Sequence, residues 1–283
     1  MIRRLRALLR SRSPGGWMLT IAIYALALTW LYPFAWMVAA SLKPTAQIYA
    51  GGLFSGDFTL DNFRFLFATA DKLGRPFLKA LAISALVTGA VTASVLLSSA
   101  FIAYALARLR FPGRTLFGDF LLLQMVIPTS MFILPLFVLV KELGLLNSLW
   151  ALILPSMMSG WGIYMMAQSF KAIPEEYLDA ARLDRASLWQ TVTRVVVPLN
   201  RSIIAIVALF TFTGTWDNFL WPLIAISDTE RMPLAVLLAT FSKQYGSYVG
   251  PVMAGAVLQT LPLVLLFALF RRHFLQGMSL TLK

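Results

Sequence analysis

The chain has 283 residues, of which 59% are apolar and 13% charged, and its formal net charge is +12. A mean hydropathy of +0.77 excludes an ordinary soluble domain and defines a polytopic membrane protein. The basic residues sit at the ends of apolar runs without an aromatic-interleaved groove, which excludes nucleic acid as a partner, and the lack of cysteine excludes disulfides, thiol nucleophiles and sulfur-ligated metals.

Residues 1–16 form a basic arm carrying Arg3, Arg4, Arg6, Arg10 and Arg12 and ending on Pro14-Gly15-Gly16. Residues 17–40 are uncharged and long enough to cross a hydrocarbon core of about 30 Å. They outrun the apolar region of a cleavable signal, roughly 7 to 15 residues, so a retained first span is expected. Residues 41–79 read as a long polar and aromatic connection. A second span is expected over 80–107, with Ala85, Gly89, Ala93 and Ser98 placed for close helix approach. Arg108, Arg110 and Arg114 around Pro112-Gly113 make a tight basic turn. The third span covers 115–140 and carries Pro128 and Pro135; Asp119, near its start, is expected to pair with Arg114 or Arg110. After a short loop at 141–148, the fourth span covers 149–170. Its Met157, Met158, Met165 and Met166 read as adaptable packing or lining residues.

Residues 171–201 interrupt this pattern with nine charged side chains between two apolar runs. Pro174 suits a first helical turn, and Glu175, Glu176 and Asp179 follow where carboxylates favour the positive end of a helix dipole. Leu178, Ala181, Leu188, Val192 and Val195 recur near helical spacing, and Pro198 stops the pattern. One or two short amphipathic helices at a membrane surface are predicted. A fifth span is expected over 202–226, a polar connection over 227–249 and a sixth span over 250–270. The tail, 271–283, holds the lone His273 beside Arg271 and Arg272, a basic anchor and no metal site.

Six spans place both termini on one side. The arm, the basic turn, the island and the tail hold 16 of the 24 Lys and Arg residues, which puts them in the cytoplasm.

Several phrases then carry a resemblance. Asp179-Ala180-Ala181, followed by Asp184-Arg185-Ala186 and Val196-Val197-Pro198-Leu199, resembles the coupling loop of permease subunits of bacterial ABC importers. Pro33, Trp36, Ser41, Lys43 and Pro44 resemble the end of that family's first span. Ala103 to Arg108 with Phe111-Pro112-Gly113 resembles its basic turn, and Gln124, Met125, Pro128 and Pro135 its third span. The phrases Trp216-Asp217-Asn218-Phe219 and RRHFLQG at 271–277 resemble later signatures, the last offering Gly277 as a tail contact with an ATPase. The order points to the six-span, carbohydrate-type half of a permease pair.

The resemblance implies an all-α, type I ABC importer permease fold in a bacterial inner membrane. It also implies a coupling surface at Glu176, Asp179, Ala180, Ala181, Asp184, Arg185 and Pro198 that docks in a cleft of an ATPase. The partners implied are a second homologous permease, two ATPase subunits, an extracytoplasmic sugar-binding protein and membrane lipid. This chain binds no cofactor of its own; ATP and Mg belong to the ATPase, and no G-x-x-x-x-G-K-[ST] phosphate loop occurs here. Two positions depart from the family pattern. Arg185 replaces the usual Gly, so either the turn is more helical here or Arg185 adds a contact of its own; in a left-handed turn it would cost about 1 kcal/mol. Asp217 stands in a phrase where Trp-Asn is usual. Trp216, Asp217 and Asn218 either line the translocation path or belong to an outer aromatic belt with Phe219 and Trp221. The rival reading is a self-sufficient secondary carrier for a small polar solute, which requires coupling acids at mid-membrane.

Overall fold

The computed structural model describes residues 14–49, 52, 53, 55–245 and 248–280. The arginines of the basic arm and Lys283 lie outside the described residues, as do the side chains of Arg271, Arg272 and His273. Among the described residues there are helices and no β-strands.

The bundle is built on α2 (Phe77–Arg108). Ile83, Val87, Val91, Val95, Ser99 and Ala103 recur every fourth residue along it, and all are buried. That spacing puts them on one stripe of a helix. Against the stripe packs α5 (Gly160–Lys171), whose Ile163, Met166, Ala167 and Phe170 are buried. In lipid the gain from such contacts comes from close packing rather than removal from water, so backbone proximity matters. Gly162 provides it, because a Cβ there would stand 3.1 Å from both Ser99 Oγ and Val207 Cγ1. Ala85, Gly89 and Ala93, expected to serve close approach, face outward instead, since the burying stripe of α2 lies on the other side. Only Ser98 is drawn in, its hydroxyl donating to Met157 O at 3.3 Å.

Around this pair, α1 (Pro14–Ser41) packs on α11 (Val249–Leu280), and α8 (Arg201–Trp216) packs on both α2 and α11. The glycines at 15 and 16 do not break the chain, because Pro14 starts the helix where its missing N–H is harmless. The expected third span is not one straight helix. α3 (Arg114–Val126) meets the 129–142 stretch, which ends in α4 (Ile133–Glu142), at 96°. Ile127 precedes Pro128 and takes the extended conformation such residues favour, φ −79° and ψ 123°, which ends α3. α8 likewise ends at Trp216, and α9 (Leu220–Ala225) follows a break. Four helical stretches are long and apolar enough to cross a membrane, or up to six when each bent pair counts as one span.

The expected polar connection at 227–249 contains α10 (Leu234–Tyr245). Leu234, Leu237, Leu238 and Phe241 are buried at helical spacing, and α10 packs on α2 and α11. Its flanking polar residues hid a strong apolar stripe. The end of the bundle near α10 is knitted by polar contacts. Lys79 Nζ meets Glu230 Oε2 at 2.5 Å, and the Arg75 guanidinium lies 4.6 Å from the Phe241 ring centre. Asn147, at φ 62°, accepts on Oδ1 from the backbone N–H of Ser227 and Asp228.

At the same end Asn62, 6% exposed, donates from Nδ2 to Ser41 O at 2.9 Å and Lys43 O at 2.8 Å. It lies against Gly250, where an added Cβ would fall 2.3 Å from Asn62 Oδ1. Gly250→Ala is expected to displace this amide and destabilise the fold by about 1–3 kcal/mol, an overpacking cost. A lower melting temperature in detergent, with new protease cuts between residues 41 and 62, is the check.

Candidate functional site

The polar island folds as α6 (Glu175–Leu183) and α7 (Leu188–Leu199). Its apolar face is the expected one in part. Leu178, Ala181 and Val192 are buried, whereas Leu188 is half exposed because it precedes the turn of α7 that reaches the bundle.

Arg108, the last residue of α2, holds the island to the bundle. Its Nε donates to Phe170 O at 3.1 Å, and Nη2 donates to Phe170 O at 2.8 Å, to Lys171 O at 3.3 Å and to Ile173 O. Nη1 pairs with Glu175 Oε2 at 2.8 Å. One guanidinium thus takes up the orphan carbonyls ending α5 and the first carboxylate of α6. Two further anchors act along α7. Trp189 stacks on Phe101 of α2 with centroids 5.2 Å apart, and Asn200 accepts from Ser169 Oγ at 2.6 Å while donating to Val196 O at 2.8 Å. A π-helical stretch at Thr191–Val196 leads into Pro198, so the proline sits inside the helix instead of stopping it, and the turn ends at Asn200. From there α8 leaves at 90° to α7, so the island lies across the bundle axis.

The turn between α6 and α7 is a Schellman motif. Ala186 N–H donates to Ala181 O at 2.9 Å, and Arg185 N–H donates to Arg182 O at 3.0 Å. Arg185 therefore occupies the left-handed region, at φ 51°, where the motif favours glycine. Its exposed side chain makes no hydrogen bond or ion pair with a described residue. Ser187 then starts α7 with a capping box, accepting from Gln190 N–H at 3.3 Å while Gln190 Oε1 accepts from Ser187 N–H at 2.8 Å. The strain at Arg185 has no compensating contact within the chain. Arg185→Gly is expected to stabilise the island by about 1 kcal/mol. Slower amide exchange across residues 175–190 and a raised melting temperature are the measurements.

On the outward face, Arg182 Nη1 pairs with Asp179 Oδ1 at 2.7 Å and Glu175 Oε1 at 3.2 Å. The Asp179 hydrogen bond, helped by the nearby charges of Asp179 and Glu175, raises the guanidinium above its ordinary value. Glu176, Ala180 and Asp184 are exposed beside this pair, and Ala181 is turned inward. Tyr177, 50% exposed, and Leu183, 85% exposed, stand apolar among these charges. Pro198 is half buried, and Gly277 falls near the end of α11, within its described backbone.

Trp216, Asp217 and Asn218 do not share one direction. The Trp216 indole N–H donates to Gln259 O at 2.9 Å and its ring stacks on Phe212, which turns it toward α11. Asp217 Oδ1 accepts from Gln259 Nε2 at 3.3 Å. Asn218 alone lines cavities, including one of about 720 Å³ beside Gln124, Thr129, Ser156 and Trp221.

The sequence reading missed a second large cavity, about 750 Å³, where the α3 break faces α5 and α8. Gln124, Thr129, Ser159, Trp161, Thr211 and Thr215 line it. The signal was present: hydroxyls and an amide at mid-span, beside a proline break, are expensive in hydrocarbon and cheap against a water-filled path. Asp119, expected to pair with Arg114 or Arg110, forms no ion pair with a described residue. Arg114 instead donates to Leu109 O and Ala107 O at the end of α2, which leaves the carboxylate lining a separate cavity. Among the described residues, no group of acids and histidines is placed to hold a metal ion.

An all-helical bundle with a broken span at a polar cavity, and a charged helix pair laid across one end, defines a membrane permease subunit. The chain belongs to the binding-protein-dependent transport system inner membrane component family, whose model matches residues 99–280. Over 78% of its length it is 31% identical to the arabinooligosaccharides transport system permease protein AraQ of Halalkalibacterium halodurans, covering 79% of that protein. It is 33% identical to the lactose transport system permease protein LacG of Rhizobium radiobacter over 73% of this chain and 74% of that one. The crystal structure of a bacterial ABC transporter involved in the import of the acidic polysaccharide alginate holds a chain of the same fold. The two superpose with a TM-score of 0.79 at 24% identity, covering 93% of this chain and 99% of that chain. The fold is that of a type I ABC importer permease.

Proposed function

We propose that this chain is the transmembrane subunit of an ATP-driven, binding-protein-dependent sugar importer, and that its island is the joint to the ATPase. The observation that carries the reading is the island itself. Arg108, Trp189 and Asn200 fix it to the bundle, while Tyr177, Asp179, Leu183 and Asp184 project from it. A helix pair held this firmly moves with the spans. Force applied to its outer face therefore reaches the α3 break and the cavity beside it, as alternating access requires.

The coupling surface comprises Glu176, Asp179, Ala180, Asp184 and Arg185, with Ala181 and Pro198 supporting it from within. ATP and Mg are bound by two ATPase subunits. A second, homologous permease completes the path, and an extracytoplasmic binding protein delivers the sugar to the end knitted by Asn147, Lys79 and Glu230. The excess of basic residues on the island's side supports a cytoplasmic island and cytoplasmic termini. Relatives named for arabinooligosaccharide and lactose transport favour a short oligosaccharide as cargo.

Uptake of radiolabelled arabinotriose and lactose into proteoliposomes, with the neighbouring transport genes coexpressed, tests the reading. Accumulation that needs both ATP and the binding protein is expected. Accumulation driven by an ion gradient with this chain alone would establish the carrier reading instead.

A further inference from the structure

We infer that the groove between α3 and α5 carries a saccharide subsite on the cytoplasmic side of the larger cavity, with Asp119, Tyr164, Gln168 and Lys171 as its contacts. The inference rests on the importer reading and adds the route by which cargo leaves.

A cavity of about 380 Å³ is lined there by Arg114, Asp119, Tyr164, Gln168 and Lys171. On α5, Trp161, Tyr164, Gln168 and Lys171 are spaced three, four and three residues apart, which is one face of a helix. Trp161 lines the 750 Å³ cavity, so the two cavities occupy one face at successive depths. Trp161 and Gln168 are separated by about 10 Å of helix rise. α3 repeats the arrangement, with Met125 at the upper cavity and Asp119, Leu122 and Thr115 at the lower. The mid-span amide and hydroxyls of the upper cavity mark this side of the helices as the wet one. Leu116, Phe120 and Leu123 of α3, at 75%, 59% and 60% exposure, give it a separate apolar face suited to lipid.

The chemistry of the lower cavity fits a neutral, hydroxyl-rich solute. Arg114 directs one N–H from each Nη to a carbonyl, Leu109 O at 3.3 Å and Ala107 O at 3.4 Å, and keeps its charge and its other donors. Asp119 and Lys171 form no ion pair with a described residue, so an acceptor and a donor both remain for hydroxyls. Gln168 adds both functions, and the Tyr164 ring offers an aromatic surface with a polar tip. The wall sets the Asp119 carboxylate against the cations of Arg114 and Lys171, so charge alone does not reject an acidic sugar; the mixed donors and acceptors fit neutral hydroxyls, and trigalacturonate is the discriminating competitor. A phospholipid headgroup is the competing occupant, and it requires the groove to open to lipid.

The chain has no cysteine, so an introduced cysteine is its sole thiol, and labelling is read on this chain after it is separated from its partners. Gln168→Cys and Tyr164→Cys are compared with Leu123→Cys in inside-out vesicles holding the complete transporter, using a membrane-impermeant trimethylammonium thiosulfonate. Both groove positions are expected to react on the order of tenfold faster than Leu123→Cys, because the reactive thiolate forms in water. Vanadate trapping should slow them, and so should millimolar lactose or arabinotriose but not trigalacturonate. Equal rates at all three positions, or labelling of the groove only by membrane-soluble N-ethylmaleimide, would assign the groove to lipid and overturn the subsite. Protection by none of the sugars, or by trigalacturonate alone, would overturn the neutral-saccharide assignment. Fast labelling that vanadate and ATP leave unchanged contradicts the importer reading on which the subsite rests.

Discussion

Replacing Arg108 with methionine is expected to detach the island while leaving the bundle inserted. The guanidinium is the shared donor for three backbone carbonyls and the Glu175 carboxylate, and its side chain is 13% exposed. Hydrogen bonds to a charged group are worth about 1.5–3 kcal/mol each but are not additive within one network, so a total near 3 kcal/mol is expected. Arg108→Lys keeps the charge and loses the planar fork, so it should recover only part of that. Amide exchange over residues 170–187 should accelerate in the methionine variant, and exchange within α2 should change little. A variant in which α2 and the island loosen together would place Arg108 in the general stability of the bundle.

Leu183→Asp is expected to weaken ATPase association by one to two orders of magnitude while costing the chain's own stability at most about 1 kcal/mol, the effect of a carboxylate at the C-terminal end of α6. Leu183 is 85% exposed at the end of α6, beside the strained turn, and contributes nothing to the core of this chain. Burying a leucine on a partner is worth about 1.5–3 kcal/mol, and a carboxylate there must also be desolvated. Titration of the purified ATPase against the variant reads the effect, with Leu183→Asn, which adds no charge at the helix end, as the stability control. An unchanged affinity would place the docking surface elsewhere on the island.

The island was legible because its charges violate the composition around them, and Pro174 with the acids after it marks the start of α6 by local chemistry; the capping box at Ser187 that starts α7 was not read from the sequence. The left-handed turn at Arg185 was not legible from propensity, since arginine disfavours it. The Schellman hydrogen bonds, formed by backbone alone, impose it. Arg108 read as a topology signal; nothing local in its sequence says that it would gather carbonyls from residues more than sixty positions away. α10 was missed because charged residues on either side made its segment look polar, although Leu234, Leu237, Leu238 and Phe241 carried helical spacing throughout. Pro128 announced a disturbance in the third span. The 96° angle between α3 and the 129–142 stretch is set by the extended backbone at Ile127 before Pro128, and periodicity does not encode it. The spread of Trp216, Asp217 and Asn218 depends on the break after α8, where one residue decides which side a group faces.

The most direct measurement is co-purification of the ATPase in mild detergent after coexpression with the neighbouring transport genes, comparing wild type with Asp179→Lys. Lysine at 179 would put a third positive charge near Arg182 and Arg185 and remove the carboxylate that pairs with Arg182. The account predicts stoichiometric ATPase and vanadate-sensitive ATP turnover with the wild-type chain, and loss of both with Asp179→Lys at equal membrane abundance. A wild-type chain that purifies alone and transports without ATP would contradict it.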